Sequence, residues 1–397
     1  MRKLKILQLT NRLPYPLNDG GNIATYNVTK YLNKFGHQVT LVSLNTKKHF
    51  HDPSPLGQIA TIHTTNIDTT ITLTGIIKSF FKKTPYSVER FYSEDFKKQL
   101  IDILQKNEFD IVQVEGIYLA IYLKVIRQHS NAKVVLRSHN IEHQIWERVA
   151  KNEANPLKKI FLKDLYKKIK LFELKHLRKF DGIIAITEND EEFYRKAGFR
   201  HKLVTINAGV DLDLYQPSTT TPMKGSICFL GSLEWKPNLQ GLMWFLEKVW
   251  PHLLEKKPEL QFHVAGKNPP PFLNNLKIPG VTFHGMVPSA IDFVNKYQIV
   301  VVPLLSGGGM RLKIVEAMAL GKCIVSTSIG AEGIDVQNGH NIILVNTPED
   351  FISQILYLLE NEQVLDKISQ NACNHARIKY NWELLVKNFE AFYYELL

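Results

Sequence analysis

The sequence predicts an α/β protein made of two doubly wound domains in tandem, each built on a parallel sheet. Three observations predict this fold class. The chain has 397 residues, which is long for a single domain. Short apolar runs alternate with helical patterns, as they do in βαβ units. The alternation stops at a polar, turn-rich segment over residues 207–223 and then starts again.

The predicted strands are short runs, and the buried ones are expected to be apolar on both faces. In the first half they cover residues 5–9, 39–44, 110–114, 134–137 and 182–186. In the second half they cover residues 226–230, 260–265, 281–284, 299–303, 323–326 and 341–345. We therefore expect a first domain at residues 1–210, a second domain at 211–380, and a C-terminal helix at 381–397 that packs back toward the first domain.

The composition indicates an ordinary globular protein, with 44% hydrophobic and 22% charged residues. No apolar run approaches the roughly 18 residues that a membrane-spanning helix needs. The basic N-terminus has too short an apolar stretch for a signal peptide and is interpreted as a first buried strand. Cys228, Cys323 and Cys373 lie far apart in apolar sequence, which favours buried thiols over a disulfide or metal site. These features predict a cytoplasmic protein.

The positive charge of the chain is concentrated in its first half. Up to Leu214 there are 34 Lys and Arg against 22 Asp and Glu, whereas from Tyr215 onward there are 15 against 16. Such asymmetry indicates an anionic partner for the first half, or a basic face that is only solvated. Of the anionic partners, a membrane surface or phosphorylated lipid is favoured; nucleic acid is not expected, because no recognised module for it is present.

Two segments of the first half combine apolar and basic residues. Residues 155–180 form a predicted amphipathic helix with a cationic face, and residues 75–85 form a shorter segment interpreted as a loop. Either could lie on an anionic bilayer, at the inner face of the plasma membrane. For the long helix the alternative is a domain helix with a solvated face; for the short segment membrane contact is the favoured interpretation.

The most informative stretch begins where a predicted strand ends at Pro303. Three glycines follow, and a helix-forming run begins near Met310. Backbone amides at such a helix start suit a diphosphate or sugar hydroxyls. Arg311 and Lys313 add cations where a pyrophosphate leaving group would gather charge. Glu316, farther along the helix, could accept hydrogen bonds from both hydroxyls of a ribose.

This stretch resembles the donor-site signature of retaining family-four glycosyltransferases, the group 1 glycosyl transferases. The resemblance lies in GMRLKIVEAMALGK at residues 309–322 and STSIGAEG at 326–333. FLGSLEWKPN at 229–238, NAGVD at 207–211, and the glycine pair Gly20-Gly21 also resemble family segments, so the match runs over nearly the whole chain. It implies the GT-B fold, in which two Rossmann-like domains face a central cleft, with acceptor bound by the first domain and nucleotide sugar by the second.

The resemblance also implies roles for individual residues. Its catalytic candidates are His139, Arg311, Lys313 and Glu316. Its donor-binding candidates are Gly20, Gly21, Gly231, Gly266, Val287, Gly308, Gly309 and Met310.

The sequence departs from the family pattern on the donor side. The acidic residue that the family places eight positions before Glu316 is Gly308 here, so a side-chain contact to the donor sugar is lost. The usual Arg and Lys of the second domain's first loop are replaced by Ser232 and Pro237. We infer that Arg311 and Lys313 take over the diphosphate.

His139 follows a predicted strand, in the segment RSHNIEH at 137–143. By resemblance it matches a histidine beside the donor sugar, where a neutral imidazole can donate and accept hydrogen bonds. The alternative is a histidine that satisfies its own loop backbone. His143 is predicted on the helix surface.

No metal or other cofactor is expected. Asp211 and Asp213 have the spacing of a metal-binding pair, but their place between the domains predicts a turn. Lys236 is one position away from a phosphate-binding lysine and is predicted to face solvent. We therefore expect a reaction that does not depend on a metal ion.

The function implied is transfer of a hexose-type sugar from a nucleotide sugar, with retention, to a saccharide or lipid-linked acceptor. The setting expected is synthesis of bacterial surface polysaccharide, lipopolysaccharide or glycolipid. Two alternatives stay open: a nucleotide-sugar epimerase on the same fold, and a non-catalytic paralogue that binds nucleotide sugar.

Overall fold

The chain folds into two compact α/β units. The computed structural model describes every residue except Met1, Asn18, Asn152 and Gly308, and the side chain of Asn274. Unit 1 comprises Met1–Asn207 and Leu385–Leu397, and unit 2 comprises Ala208–Leu384. The last residues of the chain therefore belong to the same unit as the first.

Unit 1 is built on a parallel sheet of seven strands in the order β3-β2-β1-β4-β5-β6-β7. The strands are β1 (Lys5–Thr10), β2 (Gln38–Thr46), β3 (Thr61–Ile67), β4 (Ile111–Glu115), β5 (Lys133–Ser138), β6 (Gly182–Ala185) and β7 (Lys202–Thr205). The strand order reverses between β1 and β4, and such a reversal is where doubly wound sheets bind ligands.

The sequence predicted the five inner strands of this sheet and missed both outer ones. β3 and β7 lie at the two edges of the sheet, and their residues are only partly buried. An edge strand does not need an apolar face on both sides, so it lacks the signal that marked the inner strands.

The helices of unit 1 follow the strands. They are α1 (Gly20–Lys34), α2 (Leu73–Phe80), α3 (Tyr86–Glu89), α4 (Glu94–Lys106), α5 (Leu123–His129), α6 (Glu142–Lys151), α7 (Pro156–Leu177) and α8 (Glu188–Lys196), with 3-10 turns at Lys47–His49, Ser54–Gln58 and Ile117–Tyr122. The segment over residues 75–85 that was interpreted as a loop lies largely in α2. Its helical start is explained by Thr72, whose side chain accepts a hydrogen bond from the Gly75 amide.

Unit 2 repeats the architecture with six parallel strands in the order β10-β9-β8-β11-β12-β13. Its strands are β8 (Met223–Leu230), β9 (Gln261–Ala265), β10 (Val281–Gly285), β11 (Tyr297–Val302), β12 (Cys323–Ser326) and β13 (Ile343–Leu344). Its helices are α9 (Lys236–Lys248), α10 (Trp250–Lys256), α11 (Pro271–Asn274), α12 (Ala290–Asn295), α13 (Leu312–Ala319), α14 (Pro348–Glu360) and α15 (Glu362–Lys379). All six strands were predicted, and the strand order reverses between β8 and β11.

A final helix, α16 (Trp382–Leu396), ends the chain, and its residues from Leu385 onward pack within unit 1. Gly182 at the start of β6 makes room for it, because a Cβ there would lie 2.6 Å from the ring of Phe392. The three cysteines are free and buried, as predicted. Among the described residues, no helix is long and apolar enough to cross a membrane.

Candidate functional site

The donor-site candidates of unit 2 gather at the carboxyl edge of its sheet. Gly231 follows β8, Gly266 follows β9 and Val287 lies just beyond β10. The Gly231 amide donates to the Ala265 carbonyl at 3.1 Å, and the Gly266 amide donates to the Gly285 carbonyl at 2.8 Å. Because the loops after β8 and β11 flank the reversal of strand order, this edge is where a ligand site is expected.

Two of these glycines are explained by close packing. A Cβ on Gly266 would lie 2.1 Å from the Gly231 carbonyl oxygen, and one on Gly231 would lie 2.9 Å from Nδ2 of Asn238. Gly266 therefore lets the two loops approach one another, and Gly231 leaves room for the side chain of Asn238. Val287 is partly buried and packs against the apolar cluster under this edge. Donor contacts from these three residues stay predictions.

The Gly-rich loop after β11 holds Arg311 against an aromatic ring. The guanidinium carbon of Arg311 lies 4.7 Å from the ring centroid of Trp235, which is within range of a cation–π interaction. Gly307 has a φ of +131°, and a Cβ there would lie 2.2 Å from a guanidinium nitrogen of Arg311. Gly309 also has a positive φ of 79°. Glycine at these positions therefore leaves space for Arg311 and permits the turn before it.

The helix after this loop begins later than predicted. α13 starts at Leu312 with Arg311 as its N-cap residue, so Gly309 and Met310 belong to the loop. The change places Arg311 at the helix start, where the partial positive charge of the backbone adds to its own. Gly308, another predicted donor contact, lies outside the described residues.

Lys313 is held inside the site by Asn238. Its Nζ donates to Oδ1 of Asn238 at 2.9 Å, while Nδ2 of Asn238 donates to the Ser232 carbonyl at 2.9 Å. Burial lowers the pKa of Lys313, the positive charge of Arg311 acts in the same direction, and together they bring this pKa to about 7. In the absence of a bound anion, Lys313 is therefore about half protonated near pH 7.

Glu316 lies one helical turn beyond Lys313 and meets a tyrosine from the segment before β8. The hydroxyl of Tyr215 donates to Oε1 of Glu316 at 3.0 Å. Burial raises the pKa of Glu316 above its usual value, although this hydrogen bond and the charge of Lys313 act in the opposite direction. The carboxyl group has a second oxygen and further lone pairs with which to accept hydroxyl groups. Arg311, Lys313 and Glu316 thus lie together in unit 2, as predicted.

In unit 1 the predicted catalytic histidine pairs with a glutamate that the sequence analysis missed. His139 follows β5, and its Nε2 lies 2.6 Å from Oε2 of Glu115, the last residue of the neighbouring β4. Burial raises the pKa of Glu115, but the positive charge of Arg137 and the interactions with His139 and Gln113 together outweigh burial, so that this pKa falls to about 2. Glu115 is therefore an ionised acceptor near neutral pH. His139 therefore contacts a carboxylate of the neighbouring strand, and not the backbone of its own loop as in the alternative interpretation.

The glycine pair of unit 1 lies at the start of α1. Asp19 is the N-cap residue, and its Oδ1 accepts from the amides of Gly21 and Asn22, both at 3.1 Å. The same oxygen accepts from Arg12 Nη2 at 2.7 Å. Asp19 thus occupies two of the amides that a phosphate would use, and Arg12 is a cation beside them. The donor contacts of Gly20 and Gly21 stay predictions.

One residue of the RSHNIEH segment was misassigned. His143 was predicted on the helix surface, but it is buried, and its Nδ1 lies 2.6 Å from Oε2 of Glu173 on α7. A buried carboxylate across the helix pair gives the imidazole a partner, which removes the need for solvent.

The other two sequence predictions about charged residues near the site are confirmed. Asp211 forms a turn, since its Oδ1 accepts from the Asp213 amide at 3.1 Å. Lys236 is exposed at the start of α9. No group of three or more His, Cys, Asp or Glu in the described part of the chain is placed to hold a metal ion. Metal independence stays a prediction.

Comparison with known proteins finds family matches over most of the chain. A model of the family described as Glycosyltransferase Family 4 matches residues 18–214, and one described as Glycosyl transferases group 1 matches residues 224–361. An uncharacterised 44.6 kDa protein in the cps region of Klebsiella pneumoniae is 25% identical over 395 residues, covering 95% of this chain and 96% of its own length.

Two solved structures have the same fold over nearly all of both chains. Sucrose-phosphate synthase from Thermosynechococcus elongatus matches with a TM-score of 0.70 and 16% identity, covering 99% of each chain. HepE of Anabaena in complex with UDP matches with a TM-score of 0.68 and 14% identity, covering 98% of this chain and 99% of its own. With the two family matches, these likenesses show that the chain is a group 1 glycosyltransferase of the family-4 type, with the GT-B fold.

Proposed function

We propose that the protein transfers a hexose-type sugar from a nucleotide diphosphate sugar, with retention at the anomeric carbon, during surface polysaccharide or glycolipid synthesis. The observation that carries the proposal is the cluster of Arg311, Lys313 and Glu316 at the carboxyl edge of the unit 2 sheet. Two cations and one carboxylate in that order match a diphosphate followed by a ribose.

The reaction needs no covalent nucleophile. The bond between the anomeric carbon and the diphosphate oxygen breaks, and the acceptor hydroxyl forms the new bond on the same face. Its proton passes to the departing phosphate oxygen. Arg311 and Lys313 stabilise the negative charge that gathers there, and His139 binds a sugar hydroxyl. No step requires a metal ion.

The setting is supported by the relatives. The relative from Klebsiella pneumoniae lies in a cps region, which favours a role in capsule-like polysaccharide and an acceptor that is a saccharide or lipid-linked saccharide. HepE was solved with UDP, so UDP and its sugars are the first probes to use.

A donor screen tests the proposed function. Purified protein is incubated with UDP-, GDP-, ADP- and TDP-sugars, and nucleoside diphosphate release is measured with and without membrane-extracted acceptor. Acceptor-dependent release of one nucleotide, with an unchanged anomeric configuration in the product by NMR, supports the proposal. Conversion of the donor sugar without acceptor would instead identify an epimerase, and binding without turnover would identify a non-catalytic paralogue.

The pKa of Lys313 predicts that nucleotide binding depends on pH. A bound diphosphate stabilises the protonated lysine, so its pKa rises above the value of about 7 in the free protein. Well below pH 7, Lys313 is protonated in the free protein and in the nucleotide complex. Above pH 7 it stays protonated only in the complex, so the affinity for nucleotide falls by up to about tenfold per pH unit until the pKa of Lys313 in the complex is passed.

Calorimetry checks this prediction with UDP between pH 7 and 9, where the terminal phosphate of UDP is already ionised. Titrations at pH 8 in buffers of different ionisation enthalpy should show uptake of nearly one proton. Lys313→Arg keeps a charge that does not titrate and should abolish the uptake. Equal uptake by this variant would assign the proton to another group.

We also propose that unit 1 docks on the anionic inner face of the plasma membrane. α2 and the residue that caps its C-terminus present exposed apolar side chains, with Leu73 80%, Ile77 61% and Phe81 87% exposed. The exposed Lys78 and Lys83 accompany them. Apolar side chains with cations beside them match the interface of an anionic bilayer.

α7 supports α2 and extends this surface. The Phe80 ring packs on Phe161 with centroids 6.1 Å apart, and Lys168 donates to the Ser79 carbonyl at 2.7 Å. Leu157 and Ile160 on α7 are exposed by 78% and 59%. α7 thus has both a buried face and exposed apolar residues, so the solvated-face alternative does not account for all of it.

The membrane proposal predicts salt-sensitive binding to vesicles. Each lysine near an anionic surface contributes about 1 kcal/mol, and each inserted phenylalanine about 1.5–3 kcal/mol. The protein should sediment with phosphatidylglycerol vesicles at low salt and be released as salt rises. Phe80→Ser with Phe81→Ser should reduce sedimentation without changing UDP affinity.

The single variant Phe81→Ser is the cleaner of the two changes, because Phe80 packs on α7. Phe272→Ser removes an exposed phenylalanine of unit 2 and is the matched control. If the wild-type protein does not bind anionic vesicles at low salt, α2 is not the docking surface and a soluble acceptor is favoured. The same holds if Phe81→Ser and Phe272→Ser lose vesicle binding equally.

A further inference from the structure

An unusual set of polar side chains lies inside the parallel sheet of unit 1. Gln8 on β1, Gln113 and Glu115 on β4, and Arg137 on β5 are each no more than 4% exposed. Inner strands of such a sheet are normally apolar, and a buried charge destabilises the fold unless it is paired. A buried ion pair here is therefore weak evidence of a role in stability.

The polar groups around Glu115 all donate toward its carboxylate. Gln113 Nε2 donates to Oε1 at 2.5 Å. On the other oxygen, Thr25 Oγ1 donates at 3.3 Å and Arg137 Nη1 at 3.4 Å, beside His139 Nε2 at 2.6 Å. An ionised carboxylate only accepts, so the Nε2 atom of His139 has to carry a proton.

The orientation of Gln113 is selected by the C-terminal helix. The hydroxyl of Tyr393 on α16 donates to Gln113 Oε1. If the amide were reversed, its oxygen would face the Glu115 carboxylate and repel it. Tyr393 satisfies the oxygen in the orientation that points Nε2 at Glu115, and it is fully buried. A second residue of α16, Phe389, lies under Arg137, with the guanidinium carbon 5.3 Å from its ring centroid.

The other nitrogen of His139 is left available. The side chain is 22% exposed, and within the described part of the chain no hydrogen bond is found to its Nδ1. With the proton fixed on Nε2, the Nδ1 atom of the neutral imidazole is an acceptor. An acceptor suits the hydroxyl group of a sugar.

We infer that Tyr393, Gln113 and Glu115 are positioning residues that hold His139 in its Nε2-protonated form and leave Nδ1 to accept a hydroxyl of the sugar substrate. The inference rests on the proposed function in one respect, namely that His139 touches the sugar. It assigns to the C-terminal helix a role at the site: Tyr393 acts on His139 through two intervening side chains.

The state of His139 is measured in the free protein, independently of activity. Long-range proton–nitrogen NMR correlation spectra of protein labelled with nitrogen-15 distinguish the two neutral forms of an imidazole, and His139→Gln assigns the signal. The wild-type protein should show an unprotonated Nδ1. Tyr393→Phe should weaken this preference and produce a mixture of the two forms. Tyr394→Phe is the matched control, because its hydroxyl bonds instead to the Arg2 carbonyl on the same unit.

Glu115→Gln is the stronger variant, because an amide can face His139 with either its oxygen or its nitrogen. The preference of His139 for one form should be lost, and kcat should fall about 10–100-fold, the range seen when a residue that orients a metal-ligating histidine is replaced. The affinity for UDP, which lacks the sugar, should be unchanged. Glu115→Gln removes the charge that pairs with Arg137, which can prevent folding. Tyr393→Phe removes only a hydroxyl group, so it still tests the inference in that case.

Two results would overturn the inference. A protonated Nδ1 in the wild-type protein, or the same wild-type form in both Tyr393→Phe and Glu115→Gln, would show that the chain does not position His139. If the form changes as expected but kcat of the transferase does not, the positioning holds and the contact between His139 and the sugar is refuted. Failure of the donor screen with the expected NMR result would count against the proposed function alone.

Discussion

Replacing Arg311 by methionine is expected to lower kcat by about 10²–10³-fold, while the affinity for the nucleotide sugar falls far less. The negative charge on the leaving diphosphate grows as the sugar departs, so a cation at this point binds the transition state more tightly than the ground state. Trp235 and the helix start at Leu312 hold the guanidinium in place, which spares the reaction any reorganisation. Steady-state kinetics with the donor found in the screen measures the change.

Three comparisons make this result specific. Lys313→Met should act in the same direction as Arg311→Met. Lys236→Met removes an exposed lysine at the start of α9 and should leave kcat unchanged. A chelator should have no effect on the wild-type rate. Equal losses of affinity for the nucleoside and for its diphosphate in Arg311→Met would show a structural role instead, and a metal requirement would contradict the site as described.

The fold was predictable because its inner strands and helices have strong local signals. A strand buried on both faces must be apolar throughout, as β6 is, and the helices between strands have their own periodicity. The edges of the first sheet were not predictable in this way. β3 reads Thr-Ile-His-Thr-Thr-Asn-Ile and leaves its residues partly or fully exposed. Its β-branched residues favour a strand, but it lacks the apolar run by which the inner strands were identified.

The donor cluster was predictable for a different reason, since its three charged residues lie within one short stretch of chain. Lys313 and Glu316 are three residues apart on one helix, so local geometry alone puts them side by side. Their partners come from far away: Tyr215 is separated from Glu316 by 101 residues, and Asn238 from Lys313 by 75. A single sequence gives no means of pairing residues at such distances.

Glu115 was missed although it left a signal in the sequence. It closes the strand Ile-Val-Gln-Val-Glu, in which two polar residues interrupt an apolar run that is buried at every position. A charge at the carboxyl end of an inner strand lies at the edge where ligands bind, so it was a candidate on position alone. His143, by contrast, was predicted on the helix surface but is buried. Its partner Glu173 lies on another helix, so the sequence near His143 gave no signal of this contact.

The remaining large effect is expected at Glu316, where alanine should weaken UDP binding by about 1.5–3 kcal/mol, or roughly 10–150-fold. The reason is the loss of charge-assisted hydrogen bonds to the two ribose hydroxyls. Glu316→Gln keeps one acceptor oxygen and should lose less. Tyr215→Phe removes the hydroxyl that donates to Glu316 and tests whether a weaker effect follows when only the orientation of the carboxylate is changed.

The ribose contact is isolated by a cycle that combines the variant with a modified ligand. UDP and 2′-deoxy-UDP are titrated against the wild-type protein and Glu316→Ala, so that the hydrogen bond to the 2′ hydroxyl is removed from either side. The wild-type protein should bind UDP more tightly than the deoxy form, whereas the variant should bind both equally, because no acceptor remains to distinguish them. A full preference for UDP in the variant would remove Glu316 from the ribose site, even if its overall affinity were lower. Thermal unfolding of both proteins without ligand separates this result from a loss of fold.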